Sequence, residues 1–259
     1  MSTPEPMPPH WRTLTTTEVH HQNADVAVLP VGSFEQHGPY LPLATDTLVA
    51  SSIAERLAHS YQLRPLPPLP LSCSQEHAQW PGTVSLTSTT LTALIRDVAR
   101  SLQHDGVSRL AVINGHGGNH VLINAVQEAA GPGRRLALFP DLADWQEARE
   151  QAGLESSLLS DMHAGEAEVS LLLYTHPHLV RAGYTTSDRR ADDRRHLPTL
   201  GMAAYTDNGV IGHPSRASAD KGAALLEGLV AAFGRHLAAL RTGAHPQDTN
   251  QHRGVDDAH

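Results

Sequence analysis

The segment Gly32-Ser33-Phe34-Glu35-Gln36-His37-Gly38-Pro39 sets a carboxylate and an imidazole two residues apart. In extended backbone, residues with that spacing point to the same side. A second carboxylate, Asp46, follows nine residues after His37, where a helix is expected to begin. Such a mixture of oxygen and nitrogen donors suits Zn, Mn or Fe. Asp46 has two oxygens, so it could serve two ions at once. A blander reading makes Asp46 a helix cap and Glu35/His37 a surface pair. The position of Glu35 and His37 in a Gly/Pro-rich loop, directly after a buried strand, weakens it.

Two further segments carry the same residue types. Asn114-Gly115-His116-Gly117-Gly118-Asn119 surrounds an imidazole with three glycines, expected to permit positive-φ turns and close approach to a ligand. No lysine follows and the spacing is not GxGxxG, so it fits a nucleotide loop poorly. His163-Ala164-Gly165-Glu166-Ala167-Glu168 opens a helix. Glu166 reads most simply as an acidic first turn that complements the helix dipole. Glu168 is different, because Val169 and Leu171, Leu172 and Leu173 make this helix apolar nearly all round. A buried carboxylate needs a partner, and a metal ion is one.

The elements that must position these residues alternate along the chain. Residues 25–31 read as a buried strand, and Thr45 opens an amphipathic helix to about residue 60. Residues 63–71 contain four prolines and make at best an interrupted edge strand. A helix is expected over 88–104, a buried strand over 109–113, a helix from the 114–119 turn to about 130, and a strand over 136–139. Helices follow at about 143–151, 165–174 and 217–240. Residues 184–215 read as loop, with 188–195 (DRRADDRR) a solvated charge run. Strands alternating with helices imply an α/β single domain with a mostly parallel central sheet flanked by helices. Ligands in such folds bind beyond the carboxyl ends of strands, where both the 32–43 and 114–119 segments fall. The domain is expected over 13–242, with disordered tails at 1–12 and 243–259.

Composition bounds the function. The 259 residues suit one large domain, and 40% apolar residues suffice for a sizeable core; with 4% aromatics, that core rests on Leu, Val, Ile and Ala. A net charge of −8 offers no basic field for nucleic acid. One cysteine, Cys73, excludes an internal disulfide and fits a reducing compartment. The N-terminal MSTPEPMPPH has no signal-peptide pattern, and no stretch reads as a membrane span, so a cytoplasmic protein is expected.

Taken together, Gly-Ser-Phe-Glu-Gln-His-Gly-Pro-Tyr-Leu-Pro-Leu with Asp46, then Trp80-Pro81-Gly82-Thr83, Asn-Gly-His-Gly-Gly-Asn and His-Ala-Gly-Glu-Ala-Glu resemble the creatininase (creatinine amidohydrolase) family in content and order, over about residues 26–225. The resemblance implies a creatininase-like three-layer fold, two divalent metal ions per chain (Zn, Mn or Fe), amide C–N hydrolysis by a metal-activated water, and a homohexamer. It matches Glu35, His37, Asp46 and His116 to ligands, with Asp46 bridging both ions, and His163 to a proton carrier. Creatininase itself has a Glu two residues after the ligand His and a Tyr directly after it; here these are Gly118 and Gly117. Glu168 is implied as the replacement fifth ligand, although the usual Glu-Thr-Ser is Glu168-Val169-Ser170 here. Both glycines argue against creatinine, since they remove a carboxylate and an aromatic wall and should widen the pocket on that side.

Ser72, Ser74, Glu76, His77 and Trp80 lie where relatives place pocket residues, although a plain polar loop explains them as well. Three functions follow. The first is hydrolysis of a small cyclic amide or formamide. The second is trimming of a short precursor peptide, as in the family's mycofactocin-maturation branch, which the 74–83 segment resembles. The third is metal binding without turnover, which needs no proton carrier such as His163.

Overall fold

The computed structural model describes residues 11–243. The expected tails at 1–12 and 243–259 therefore lie outside the described residues, apart from Trp11, Arg12 and Gly243. The elements run α1 (Thr16–Gln22), β1 (Ala27–Val31), α2 (Thr45–Tyr61), β2 (Arg64–Pro65), α3 (Ser88–His104), β3 (Arg109–Asn114), α4 (Leu122–Ala129), β4 (Arg135–Phe139), α5 (Leu142–Gln151), α6 (Glu166–Thr175), α7 (Leu197–Leu200) and α8 (Ala219–Thr242). Helix α1 was not expected from hydrophobic periodicity, because it buries no residue; a capping box between Thr15 and Glu18 starts it instead.

The strands form one parallel sheet in the order β2-β1-β3-β4. Prolines confine β2 to the edge, as the sequence predicts. Alternation along β1 and β3 splits the core into two layers. Val28, Ala111 and Ile113 join the cluster under α2, α6 and α8, whereas Ala27, Leu29, Leu110 and Val112 join the cluster under α3 and α4. The result is three layers, helix–sheet–helix. Helix α8 is long and apolar enough to cross a membrane, but Leu225, Leu229, Phe233 and Leu237 place it in the core of the domain.

Two glycines let α2 approach the strand ends. A Cβ on Gly32 would lie 2.3 Å from Thr47 Cα, and one on Gly115 would lie 2.3 Å from the Asp46 carbonyl oxygen. The first turn of α2 therefore sits directly over the carboxyl ends of β1 and β3, which brings Asp46 between the Glu35 loop and the His116 loop.

Candidate metal centre

Three loops at one edge of the sheet converge. Glu35 and His37 follow β1, His116 follows β3, and His163 and Glu168 flank the start of α6; all but Glu168, which is part-buried, are buried. Asp46 does not cap α2: the capping position is Ala44, without a side-chain bond. Its Oδ2 accepts from Ser33 Oγ at 2.7 Å and lies 2.9 Å from His116 Nδ1, while Oδ1 lies 2.9 Å from His37 Nε2. Ligand atoms of Glu35, Asp46 and His116 fall within 4.8 Å of one another, and so do those of His37, Asp46 and Glu168. Asp46 belongs to both sets.

The residues fit a pair of divalent ions. Glu35 is fully buried and neither of its carboxylate oxygens has a hydrogen-bond partner, a costly arrangement without a cation. Burial pushes the Glu168 carboxyl up to about 8, with the Asp46 charge adding to it against the pull of His37, so this group also calls for a positive partner. Burial alone would lower His37, but Asp46, Glu168 and Glu35 around it raise it to about 9. Both ligand imidazoles are oriented from behind, as metal-bound histidines usually are. His37 Nδ1 lies 3.1 Å from the Glu35 carbonyl and His116 Nε2 lies 2.9 Å from the Cys73 carbonyl, which turns His37 Nε2 and His116 Nδ1 towards the acids.

His163 is held similarly, with Nε2 2.7 Å from the Gln36 carbonyl and Nδ1 3.8 Å from Glu35 Oε1. Burial, with His37 and His77 beside it, keeps it well below the usual imidazole range, hence neutral. Glu168 is aimed by strain next door. Ala164 has φ +53°, unusual for a residue with a Cβ. In that conformation its N–H donates to Glu168 Oε2 at 2.5 Å and its carbonyl accepts from Tyr40 at 2.5 Å. Glu166, by contrast, turns away from the cluster and binds Lys221 and the Glu155 and Ser156 N–H groups.

Two cavities of about 760 and 860 Å³ adjoin this cluster and share His116, Gly117, His120, Met162, His163 and Glu168 in their walls. The first has Ile123, Leu138, Pro140, Leu142, Trp145 and Leu158 in its wall, with Asn119, Asp141, Arg149 and Asp161 among the polar groups beside them. The second is lined by Gln75, Glu76, His77, Gln79, Asp192, Arg194 and Arg195 among others.

Among the expected pocket residues, Glu76, His77, Gly117 and Gly118 line the second cavity, and Gly117 also lines the first. Ser72 and Ser74 are fully buried and line neither cavity, and Trp80 lies outside both as well. The 114–119 glycines do not serve positive-φ turns, since none of them has positive φ; they provide space. Open space faces Gly117, but a Cβ on Gly118 would fall 1.9 Å from Glu76 Oε1. The expected widening therefore holds at Gly117 and fails at Gly118, where Glu76 supplies a carboxylate 3.3 Å from His116 Nε2. Nor is the 188–195 segment simply a solvated charge run, because Asp192, Arg194 and Arg195 wall the second cavity.

Sequence reasoning missed Asp161, Arg149 and Gln36. Asp161 accepts from the Glu166 and Ala167 N–H groups at 2.6 and 3.1 Å, and pairs with buried Arg149 at 3.0 Å. It thereby caps α6 from the turn before it. The Asp-x-His-x-Gly spacing ahead of an acidic helix start was the available signal.

A family model described as Creatinine amidohydrolase matches residues 12–237. The chain is 34% identical over 208 residues to the mycofactocin precursor peptide peptidase of Mycobacterium ulcerans (strain Agy99), covering 75% of this chain and 77% of that one. It is 31% identical over 171 residues to the creatinine amidohydrolase of Pseudomonas putida, covering 60% and 66%. A solved structure described as "Creatininase Mn" superposes with a TM-score of 0.75 at 25% identity, over 87% of this chain and 96% of that one. A parallel α/β domain with a buried carboxylate–histidine cluster at its strand ends is the architecture of a metal-dependent hydrolase. More particularly, the chain belongs to the creatininase family of amidohydrolases.

Proposed function

We propose that this chain is a dinuclear metal-dependent amidohydrolase that cleaves an amide bond within an extended, peptide-like substrate. The observation that carries this reading is the pair of cavities meeting at the ligand cluster. A compact lactam would occupy a small part of either one. A chain running through both would lay one of its amides over the cluster, with an apolar group towards Ile123 and Trp145 and a polar segment towards Glu76 and Arg194. The similarity to peptidases of mycofactocin precursors supports the same reading. The second reading, hydrolysis of a small cyclic amide or formamide, is favoured by the similarity to creatinine amidohydrolase.

Glu35, Asp46 and His116 would hold one ion and His37, Asp46 and Glu168 the other, with Asp46 shared. Two such ions would acidify a water and polarise the scissile carbonyl. The protein's own part is proton transfer and positioning. His163 keeps Nε2–H on the Gln36 carbonyl and leaves the Nδ1 lone pair facing the cluster, so Nδ1 is the atom that takes a proton and passes it to the leaving nitrogen. The apolar residues of the first cavity would shield one side of the reacting bond.

The test is a metal-reconstituted assay on a mixture of short peptides, read by mass spectrometry. Discrete cleavage that a chelator abolishes is expected; intact peptides alongside turnover of small amides would favour the second reading. We also propose a homo-oligomer, a hexamer by the family resemblance. Helix α8 spends its apolar face within its own chain, so the contacts would have to use other surfaces.

A further inference from the structure

Gln36 lies between two candidate ligands, buried, and its side-chain amide has one allowed orientation. Oε1 is 3.0 Å from the Gly38 N–H and Nε2 is 3.1 Å from the Gly209 carbonyl. A backbone N–H can only donate and a carbonyl can only accept, so the amide cannot be flipped. Gly209, with φ +81°, is shaped around this group, since a Cβ there would fall 1.9 Å from Gln36 Oε1.

Two imidazoles follow from that orientation. His163 Nε2 lies 2.7 Å from the Gln36 carbonyl and must donate to it, so it cannot accept from the Gln36 side chain. The second N–H of the Gln36 amide is therefore left for His77 Nδ1, 2.9 Å away, which must accept. The ring proton of neutral His77 is thus on Nε2. That nitrogen lies 3.2 Å from Glu35 Oε1, the carboxylate whose oxygens have no hydrogen-bond partner.

Resting on the metal-centre reading above, we propose that His77 is a positioning residue: its Nε2–H, fixed by Gln36, stands 3.2 Å from Glu35 Oε1 without yet bonding to it, and becomes the donor that orients Glu35 once a cation draws the carboxylate into place as a ligand. Ligating carboxylates are ordinarily held by such a donor, and loss of one typically costs about 10–100-fold in metal affinity. His77 is not itself a ligand, because its lone pair is taken by Gln36. The 34–37 loop then does three things at once: Glu35 and His37 bind, and Gln36 between them sets the proton positions on both neighbouring imidazoles.

The experiment uses full-length protein stripped of metal and titrated with Zn²⁺ alone against a chromophoric chelator, together with ¹H–¹⁵N two-bond spectra of the histidine rings. His77→Phe should weaken one of two binding events by about 10–100-fold and leave the other unchanged. Gln36→Glu should do the same without touching His77, because a carboxylate cannot donate to Nδ1 and draws the ring proton there. His77→Gln, which keeps an N–H, should recover part of the loss. The wild-type spectrum should show His77 protonated on Nε2. Wild-type affinity in both His77→Phe and Gln36→Glu, or a His77 proton on Nδ1, overturns the proposal. Should His77→Phe not fold, Gln36→Glu and the wild-type spectrum still decide it. Wild-type protein that takes up no Zn²⁺ overturns the metal reading itself, while the spectrum separately reports the tautomer.

Discussion

Asp46 is the residue that the Glu35/His116 set and the His37/Glu168 set share among the described residues, although Glu35 and His37 also group with His163. Asp46→Ala should therefore remove both ions; elemental analysis showing full metal in that variant would end the bridging assignment. His163 touches the cluster without sharing Asp46. His163→Ala should keep its metal and lose on the order of 10²–10⁴ in turnover, the usual scale for a missing proton carrier. Loss of metal would instead make it a ligand. These residues were legible because ligand types recur at strand ends with recognisable spacing. Gln36 and Asp161 were not, because each acts through hydrogen bonds to distant loops, and such contacts leave no periodic mark; Glu76 was read as a pocket residue, but not as the group that fills the space beside Gly118. Gly118 shows the difference: its sequence suggested an emptied pocket, but the space is filled from another segment by Glu76.

Among the elements, the carboxyl ends of β1 and β3 and the first turns of α2 and α6 set the geometry. Gly115 is where β3 meets α2. Gly115→Ala would force a Cβ to 2.3 Å from the Asp46 carbonyl, backbone that cannot rotate away. A loss of about 1–3 kcal/mol is expected, the usual scale of overpacking, with weakened metal binding alongside; denaturant unfolding and metal titration read the two. Wild-type stability would mean that α2 can retreat. At α6, Asp161→Ala removes the acceptor for two helix N–H groups and strands buried Arg149. Leaving one partner of a buried pair alone typically costs about 3–5 kcal/mol. Adding Arg149→Met should restore part of that loss, and a double variant no more stable than Asp161→Ala would contradict the pairing. Strands and long helices followed from hydrophobic period, since burial imposes it. Helix α1 and the cavity wall at 192–201 did not, because neither is fixed by an apolar stripe.

At the scale of the whole molecule, parallel pairing was readable from the alternation of strands and helices, and the place of the 32–43 and 114–119 segments at the strand ends followed from it; the strand order β2-β1-β3-β4 was not readable. The pair of cavities was not, because their walls come from segments far apart in sequence: the α5 region for the first, the 75–79 and 192–201 segments for the second. Oligomer contacts are similarly silent in the sequence, and light scattering giving a monomer mass at micromolar protein would exclude the proposed hexamer. The cavities bear on substrate most directly. Creatinine would leave most of either one empty, and a misplacement of about 1 Å can cost roughly 10²-fold in rate. The decisive measurement is kcat/KM, with Zn or Mn restored, for the best-cleaved short peptide and for creatinine side by side. A peptide value of about 10⁴ M⁻¹s⁻¹ or more, the ordinary enzyme level, is expected, with creatinine lower by at least about 10²-fold. Creatinine hydrolysed at the ordinary enzyme level with every peptide left intact would contradict that expectation.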